Sequence, residues 1–376
     1  TDLKTVLRSA AILGRRFPVS ILTQIIPDNI PVERSLWALE EAALIYRQHV
    51  LPEVEYAFKH ALIQDVVYQT IASHQRTEFH RMAAETLEKH LVQNGETSEA
   101  IEQIAYHYQR SLLPEKALEY LLKAGENARR SYRNREAVNY FHQALDLWDQ
   151  TTSPEDHNLP ENSKLRLNWK LAALTGLGQI YHGMGEEVEA EKYLLQAIAV
   201  GKAVELDTPA LVRLYYWLGE ALHWQRRYGE QVHLGQVGLE LLAEEQNESL
   251  EAALMNQIVA IGHLGRGDEA AFKRLTENTA RFIEKLPYSE ELRPAYVHII
   301  LSLYNDRLVA QAERWLDRLH NSAQIHHDLR ALAEVYDYQW GYAFQRGDLR
   351  QALEGCRRAL ELYPQVGDSF RICTRW

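Results

Sequence analysis

Only two cysteines, Cys356 and Cys373, occur in 376 residues. They are too few for a disulfide framework and lack the second pair of ligands that a structural zinc site needs. A reducing compartment, the cytoplasm, is therefore expected. No apolar run approaches the roughly 20 residues that span a bilayer, and the first residues carry no basic, apolar, small-residue signal pattern, so no membrane segment is expected. No Gly-x-x-x-x-Gly-Lys-Ser/Thr phosphate loop, Gly-x-Ser-x-Gly elbow, His-Glu-x-x-His pair or Gly-x-Gly-x-x-Gly turn is present, and no Asp-rich strand end offers a magnesium ligand. The expected sets of catalytic and metal-binding residues are empty. The His326-His327 pair has no ligand pattern around it and reads as a solvated helix start. Positive charge is short as well: 41 Lys and Arg against 52 Asp and Glu leave a net charge of −11, which disfavours a broad nucleic-acid surface. The densest basic stretch, Arg129, Arg130, Arg133 and Arg135, reads as the solvated face and end of a helix.

What is present is mostly helical periodicity. Leu3, Val6, Leu7, Ala10 and Leu13 form one stripe that stops at Gly14, Pro18 opens a second short helix through Leu22 to Ile26, and Val32, Leu36, Leu39 and Ala43 mark a third. From Ile45 the period changes to two. Val54, Tyr56 and Phe58 alternate with Glu55, Ala57 and Lys59, and Ile45 to Val50 can pair with them across a turn at Leu51-Pro52-Glu53. Three helices followed by one β-hairpin give the order of a winged helix. The third helix carries Glu33, Glu40 and Glu41 with Arg34 as its one cation, a poor DNA-recognition surface. From His60 the helical period returns, and stripes through Ile63, Val67 and Ile71 and through Phe79, Ala83, Leu87 and Leu91 predict a long helix or a bent pair to about Val92. The stretch Thr151 to Ser163, with two prolines and no apolar period, is the candidate linker. The expected organisation is a winged-helix-like domain over 1–60, a helical arm over 61–150, a linker over 151–163 and a repeat array over 164–376.

Leu174, Leu177, Gly178, Tyr181, Gly185, Ala190, Leu194 and Ala197 resemble a tetratricopeptide repeat, whose ~34-residue unit pairs two antiparallel helices. Gly125, Ala128, Ala137, Phe141 and Ala144 form a second match. A third runs from Gly347-Asp348 through Ala352 and Ala359 to Pro364, with weaker units at Gly219, Ala270 and Ala312. Small residues belong where paired helices cross, because a larger side chain would hold their backbones apart. Gly178 and Gly219 lie forty-one residues apart, and Gln231, Gly235 and Gly238 stand where packing residues are expected. The expected fold is all-α: the head, then a divergent tetratricopeptide-like α-solenoid.

Glu55 to Ile71 (EYAFKHALIQDVVYQTI) and Ala10 to Leu22 (AAILGRRFPVSIL) resemble the region that follows the nucleotide-binding core in signal-transduction ATPases of the STAND class. In bacterial members this region joins a winged helix to a tetratricopeptide sensor, often in regulators fused to a nucleotide cyclase, a protein kinase or a DNA-binding domain. The resemblance implies that Phe58 to Ile63 aligns with a motif whose histidine, here His60, meets the β-phosphate of ADP. Ala61 departs from the acidic residue of the related immune receptors. Because the phosphate loop is absent, the resemblance places the ATP- and magnesium-binding core upstream of this chain. Capping of the helix that begins at His60 accounts equally for that histidine.

Tyr216, Glu220, His223 and Trp224 fall on the inward side of their helix if Gly219 packs against the partner helix, and Tyr338 and Tyr342 follow the same logic. Such a surface suits a protein, a peptide or a small inducer on the concave face of the array. The same rings also suit packing between neighbouring repeats. Two functions are compatible with these observations: the sensor portion of a STAND-type ATPase, or a stand-alone tetratricopeptide adaptor that binds a peptide or protein without nucleotide.

Overall fold

The computed structural model describes residues 2–49, 54–94, 97–151, 160–242 and 249–366, which hold eighteen α-helices and a three-stranded sheet. They divide into two compact units: Thr1–Asn127 with His142–Glu155, and Ala128–Phe141 with Asp156–Trp376.

The first unit begins with α1 (Asp2–Leu13), β1 (Arg16–Pro18), α2 (Val19–Ile25), α3 (Val32–Glu41), β2 (Ile45–His49) and β3 (Glu55–Phe58). The hairpin β2–β3 lies where the alternation placed it, with a register irregularity between Arg47 and His49, while residues 50–53 of its turn lie outside the described residues. The sheet has one strand more than the hairpin expected from sequence. β1 pairs antiparallel with β3, placing Phe17 opposite Tyr56, and Val19 N donates to Val54 O at 3.0 Å. Three residues are too short to register as a period of two, and Pro18 can hold a strand there because β1 is an edge. Phe17, Leu22, Ile25, Leu36, Tyr56 and Phe58 make the core of this head.

α4 (Ala61–Gln69) and α5 (Ser73–Asn94) resolve the expected helix to Val92 into a bent pair. α6 (Ser98–Gln109) and α7 (Pro114–Arg130) follow. Tyr68 Oη lies 3.0 Å from His80 Nε2, and His80 Nδ1 lies 2.8 Å from His107 Nδ1. Burial depresses both rings, His80 to about 4 and His107 to about 3, so they meet as a neutral pair in which one nitrogen donates and the other accepts.

The second unit contains five consecutive helix pairs: α9 (Pro160–Met184) with α10 (Glu187–Ala203), α11 (Thr208–Trp224) with α12 (Tyr228–Leu241), α13 (Leu250–Gly265) with α14 (Glu269–Ile283), α15 (Arg293–Asn305) with α16 (Val309–His326), and α17 (Leu329–Gln345) with α18 (Leu349–Leu362). α8 (Asn134–Thr151) precedes them. This is a tetratricopeptide-like solenoid. Within each pair the turn passes through one left-handed residue, in order Gly185, Arg226, Gly267, Arg307 and Gly347. Aspartates begin several helices: Asp207, Asp268, Asp328 and Asp348 each accept a hydrogen bond from the backbone of the first turn. His326 and His327 close α16 rather than opening a helix, His327 being its left-handed cap.

The glycines explain the irregular repeat. Gly178 meets Leu194 of its partner helix, a Cβ at 178 standing 2.6 Å from Leu194 Cγ. A Cβ at Gly219 would lie nearest not to its own partner helix but to Ile258 of α13, the first helix of the next pair, at 2.9 Å. Gly235 and Gly238 face Val259 and Met255, while Gly262 faces Val232. The residues that depart from the repeat consensus are therefore what lets α12 and α13 approach closely. In the same unit Tyr132, between α7 and α8, packs against a cluster of Ala333, Ala359, Tyr363 and Val366.

Candidate functional site

The first helices of successive pairs share one polar cavity of about 390 Å³, in the range of small-ligand sites. Five of the residues singled out from sequence, Tyr216, Glu220, His223, Trp224 and Tyr338, line it. They do so although Gly219 packs against α13, because positions 216, 220, 223 and 224 share one face of α11. Tyr342 does not line the cavity: it stacks on Tyr304, with ring centroids 3.2 Å apart. Tyr216 is 1% exposed and belongs to the core as well as to the cavity wall, whereas Trp224 is 53% exposed.

Sequence reading missed the charged frame of this site. Arg293, at the start of α15, lies 3.3 Å from Glu334 and 3.6 Å from Asp328, and Asp328 accepts a hydrogen bond from Tyr288 at 2.7 Å. Burial opposes the charge on Arg293, but Glu334 and Asp328 outweigh it and raise its pKa. His182 of α9, which also lines the cavity, contacts Glu187 of α10 at 2.9 Å. Glu291 ion-pairs with Arg213 at 3.5 Å. His298 is depressed to about 3 by burial, with His223 adding to the effect. Two signals were available. Arg293 is a cation in a helix's first turn, against the dipole preference, and Glu334 stands on the apolar stripe of α17 between Ala331 and Tyr338. Arg129, expected to be solvated, also lines the cavity.

Glu220 differs from the other carboxylates. It is 7% exposed, its Oε1 has no hydrogen-bond partner, and burial pushes its carboxyl up to about 7, ahead of the opposing effect of His182. Leaving such an oxygen unsatisfied costs on the order of 1–3 kcal/mol.

His60 sits in the first unit at the junction of β3 and α4. It occupies the N-cap position in extended conformation, φ −135° and ψ 140°, but its side chain makes no capping hydrogen bond and it is exposed. On the helix it opens, Leu62 and Val66 are 74% and 63% exposed, one turn apart. Among the described residues no group of His, Cys, Asp and Glu could hold a metal ion, and no helix is long and apolar enough to cross a membrane.

No known family profile matches the chain. An uncharacterized protein of Rhizobium meliloti (strain 1021) is 27% identical over 184 residues, 48% of this chain and 17% of that protein. The chain thus spans less than a fifth of the curated relative it matches. Among solved structures, aspartyl phosphate phosphatase F from Bacillus subtilis has a TM-score of 0.52 at 14% identity, covering 90% of this chain and 83% of that one. A Rap protein complexed with competence and sporulation factor has a TM-score of 0.48 at 12% identity, covering 81% and 94%. A STAND protein with a tetratricopeptide repeat sensor from Pyrococcus horikoshii has a TM-score of 0.37 at 13% identity, covering 100% of this chain and 62% of that one. The first of these structural likenesses concerns the fold alone.

Proposed function

We propose that this chain is the regulatory and sensor portion of a cytoplasmic STAND-type signal-transduction ATPase. Its helical array holds a protein, peptide or small inducer, and its winged-helix-like head bears on a nucleotide-binding core encoded upstream. The observation that carries the reading is the cavity among the first helices of the array. Buried charges there are expensive unless paired, and aromatic rings line the same wall as those charges, so recognition is the function the cavity suits. The head supports the second half of the reading. His60 is exposed and makes no cap, and it stands beside the apolar Leu62 and Val66, as a residue that contacts a neighbouring domain would.

In the resting form, ADP on the core receives a hydrogen bond from the His60 ring. Ligand in the array favours a form in which that contact is lost, and the two forms exchange populations. A lost charge-assisted hydrogen bond of about 1–3 kcal/mol shifts such an equilibrium several-fold or more. In the protein with its upstream region, His60→Ala is expected to speed release of bound ADP several-fold, measured with a fluorescent nucleotide, and His60→Asn should not restore retention. A protein that purifies without nucleotide and binds none would leave the stand-alone adaptor as the function.

A further inference from the structure

The charge arrangement of the cavity points to a particular ligand chemistry. Arg293 is already flanked by Glu334 and Asp328, and Glu291 by Arg213. Glu220 is in no such direct ion pair, His182 and Arg293 acting on it only at longer range, yet it is more than nine-tenths buried and lines the cavity, with Oε1 unpartnered. On the same helix, Tyr216 and Trp217 lie one turn before it, and His223 and Trp224 one turn after. The Tyr216 and Trp217 rings are 5.3 Å apart and those of His223 and Trp224 5.8 Å apart. These residues line the same cavity as Glu220, and a carboxylate and aromatic rings lining one cavity can each attract a cation, the first by its charge and the second by the ring quadrupole.

We propose that the cavity receives an ammonium or guanidinium group whose counter-charge is Glu220. This rests on the reading of the array as a ligand-binding sensor and specifies what that sensor reads. The bound cation supplies the direct partner that Glu220 Oε1 lacks and holds its carboxyl ionised, beside the rings of Tyr216, Trp217 and Tyr338 that line the same cavity. A carboxylate retained in a buried wall without a partner destabilises the fold, and a cationic ligand is the occupant that turns this cost into affinity.

The test is calorimetric titration of the chain with cadaverine, agmatine, and the capped tripeptides Gly-Lys-Gly, Gly-Arg-Gly and Gly-Glu-Gly. Tryptophan fluorescence of the unmutated protein gives a second readout, since Trp217 and Trp224 flank the site. The expected result is that cationic probes bind, that Gly-Glu-Gly binds at least about ten-fold more weakly, and that Glu220→Gln weakens the cationic probes by about ten-fold or more, equivalent to about 1.4 kcal/mol. Binding of the diamine alone identifies a free amine as the source of the cation, and binding of the peptides alone identifies a basic side chain. Equal or tighter binding of Gly-Glu-Gly, or unchanged affinity in a folded Glu220→Gln, overturns the assignment while leaving a ligand site in the array. No heat or fluorescence change with any cation at millimolar concentration also overturns it, and the ADP-release experiment then decides the sensor reading separately.

Discussion

Replacing Gly262 with alanine would place a Cβ 2.6 Å from Val232 Cγ2 and 3.3 Å from both Gln231 Oε1 and the Tyr228 carbonyl oxygen. Carbon atoms in contact normally sit at about 3.5–4.0 Å, so the methyl group arrives about 1 Å too close. Val232 is 5% exposed and β-branched, and a single χ1 well dominates for such residues in helices, so it cannot easily turn away. Overpacking of this kind costs about 1–3 kcal/mol, and alanine in a helix interior returns about 1 kcal/mol relative to glycine. The expected net effect is destabilisation of up to about 2 kcal/mol. Gly341 provides the opposite case: it lies inside α17, and a Cβ there meets nothing within 4 Å. Gly341→Ala should therefore stabilise by about 0.5–1 kcal/mol. Urea midpoints followed by far-ultraviolet circular dichroism compare the two without assuming two-state unfolding, which repeat arrays often violate. Adding Val232→Ala to Gly262→Ala should recover part of the loss, with a coupling of about 0.5–3 kcal/mol. If Gly262→Ala raises the midpoint as Gly341→Ala does, the close approach of α12 to α13 is wrong.

Asp328→Ala removes the acceptor for Tyr288 and for the α17 cap together with a counter-ion of Arg293, and should cost about 3–5 kcal/mol in thermal unfolding; a loss below about 1 kcal/mol contradicts the buried pairing. His80 and His107 titrate at about 4 and about 3 in the folded chain against about 6.5 unfolded, so below about pH 6.5 the unfolded chain takes up protons that these rings refuse. Stability should accordingly fall as pH drops from 6.5 to 5, with a shallower slope in His107→Gln; equal slopes refute the neutral pair. Arg307 holds φ 60° where three of the five pair turns have glycine, and it is exposed, so Arg307→Gly should raise the unfolding midpoint by the equivalent of up to about 1 kcal/mol, and a clear fall would show that the Arg307 side chain has a role the turn geometry does not reveal.

The elements most legible in the sequence were those whose pattern repeats. The stripes of α1 and α3, the alternation of β2 and β3 and the small residues at Gly178 and Ala190 each reflect a local period that burial then satisfies. β1 escaped because three residues have no period, and its pairing with β3 is decided by the sheet edge. Gly219 faces Ile258 of α13, which its sequence could not specify, because a glycine marks a close approach without saying to which neighbour. At the cavity, α11 was legible since one helix face suffices to group Tyr216, Glu220, His223 and Trp224. Arg293 and Glu334 reach the same place from α15 and α17, and only tertiary packing brings those helices together. Tyr342 shares the face of Tyr338 on α17, yet Tyr304 takes its ring.

A stack of repeats in which each unit touches only its neighbours can unravel from either end, one pair at a time. The packing of Tyr132 against Ala333, Ala359 and Tyr363 joins residues separated by four helix pairs in the chain. Such a contact forms late, because the loop it closes is long, and it couples opening at the α7–α8 turn to opening at α17 and α18. Backbone amides at those two places should then lose their protection from hydrogen exchange together, at a rate set by the rupture of this one cluster.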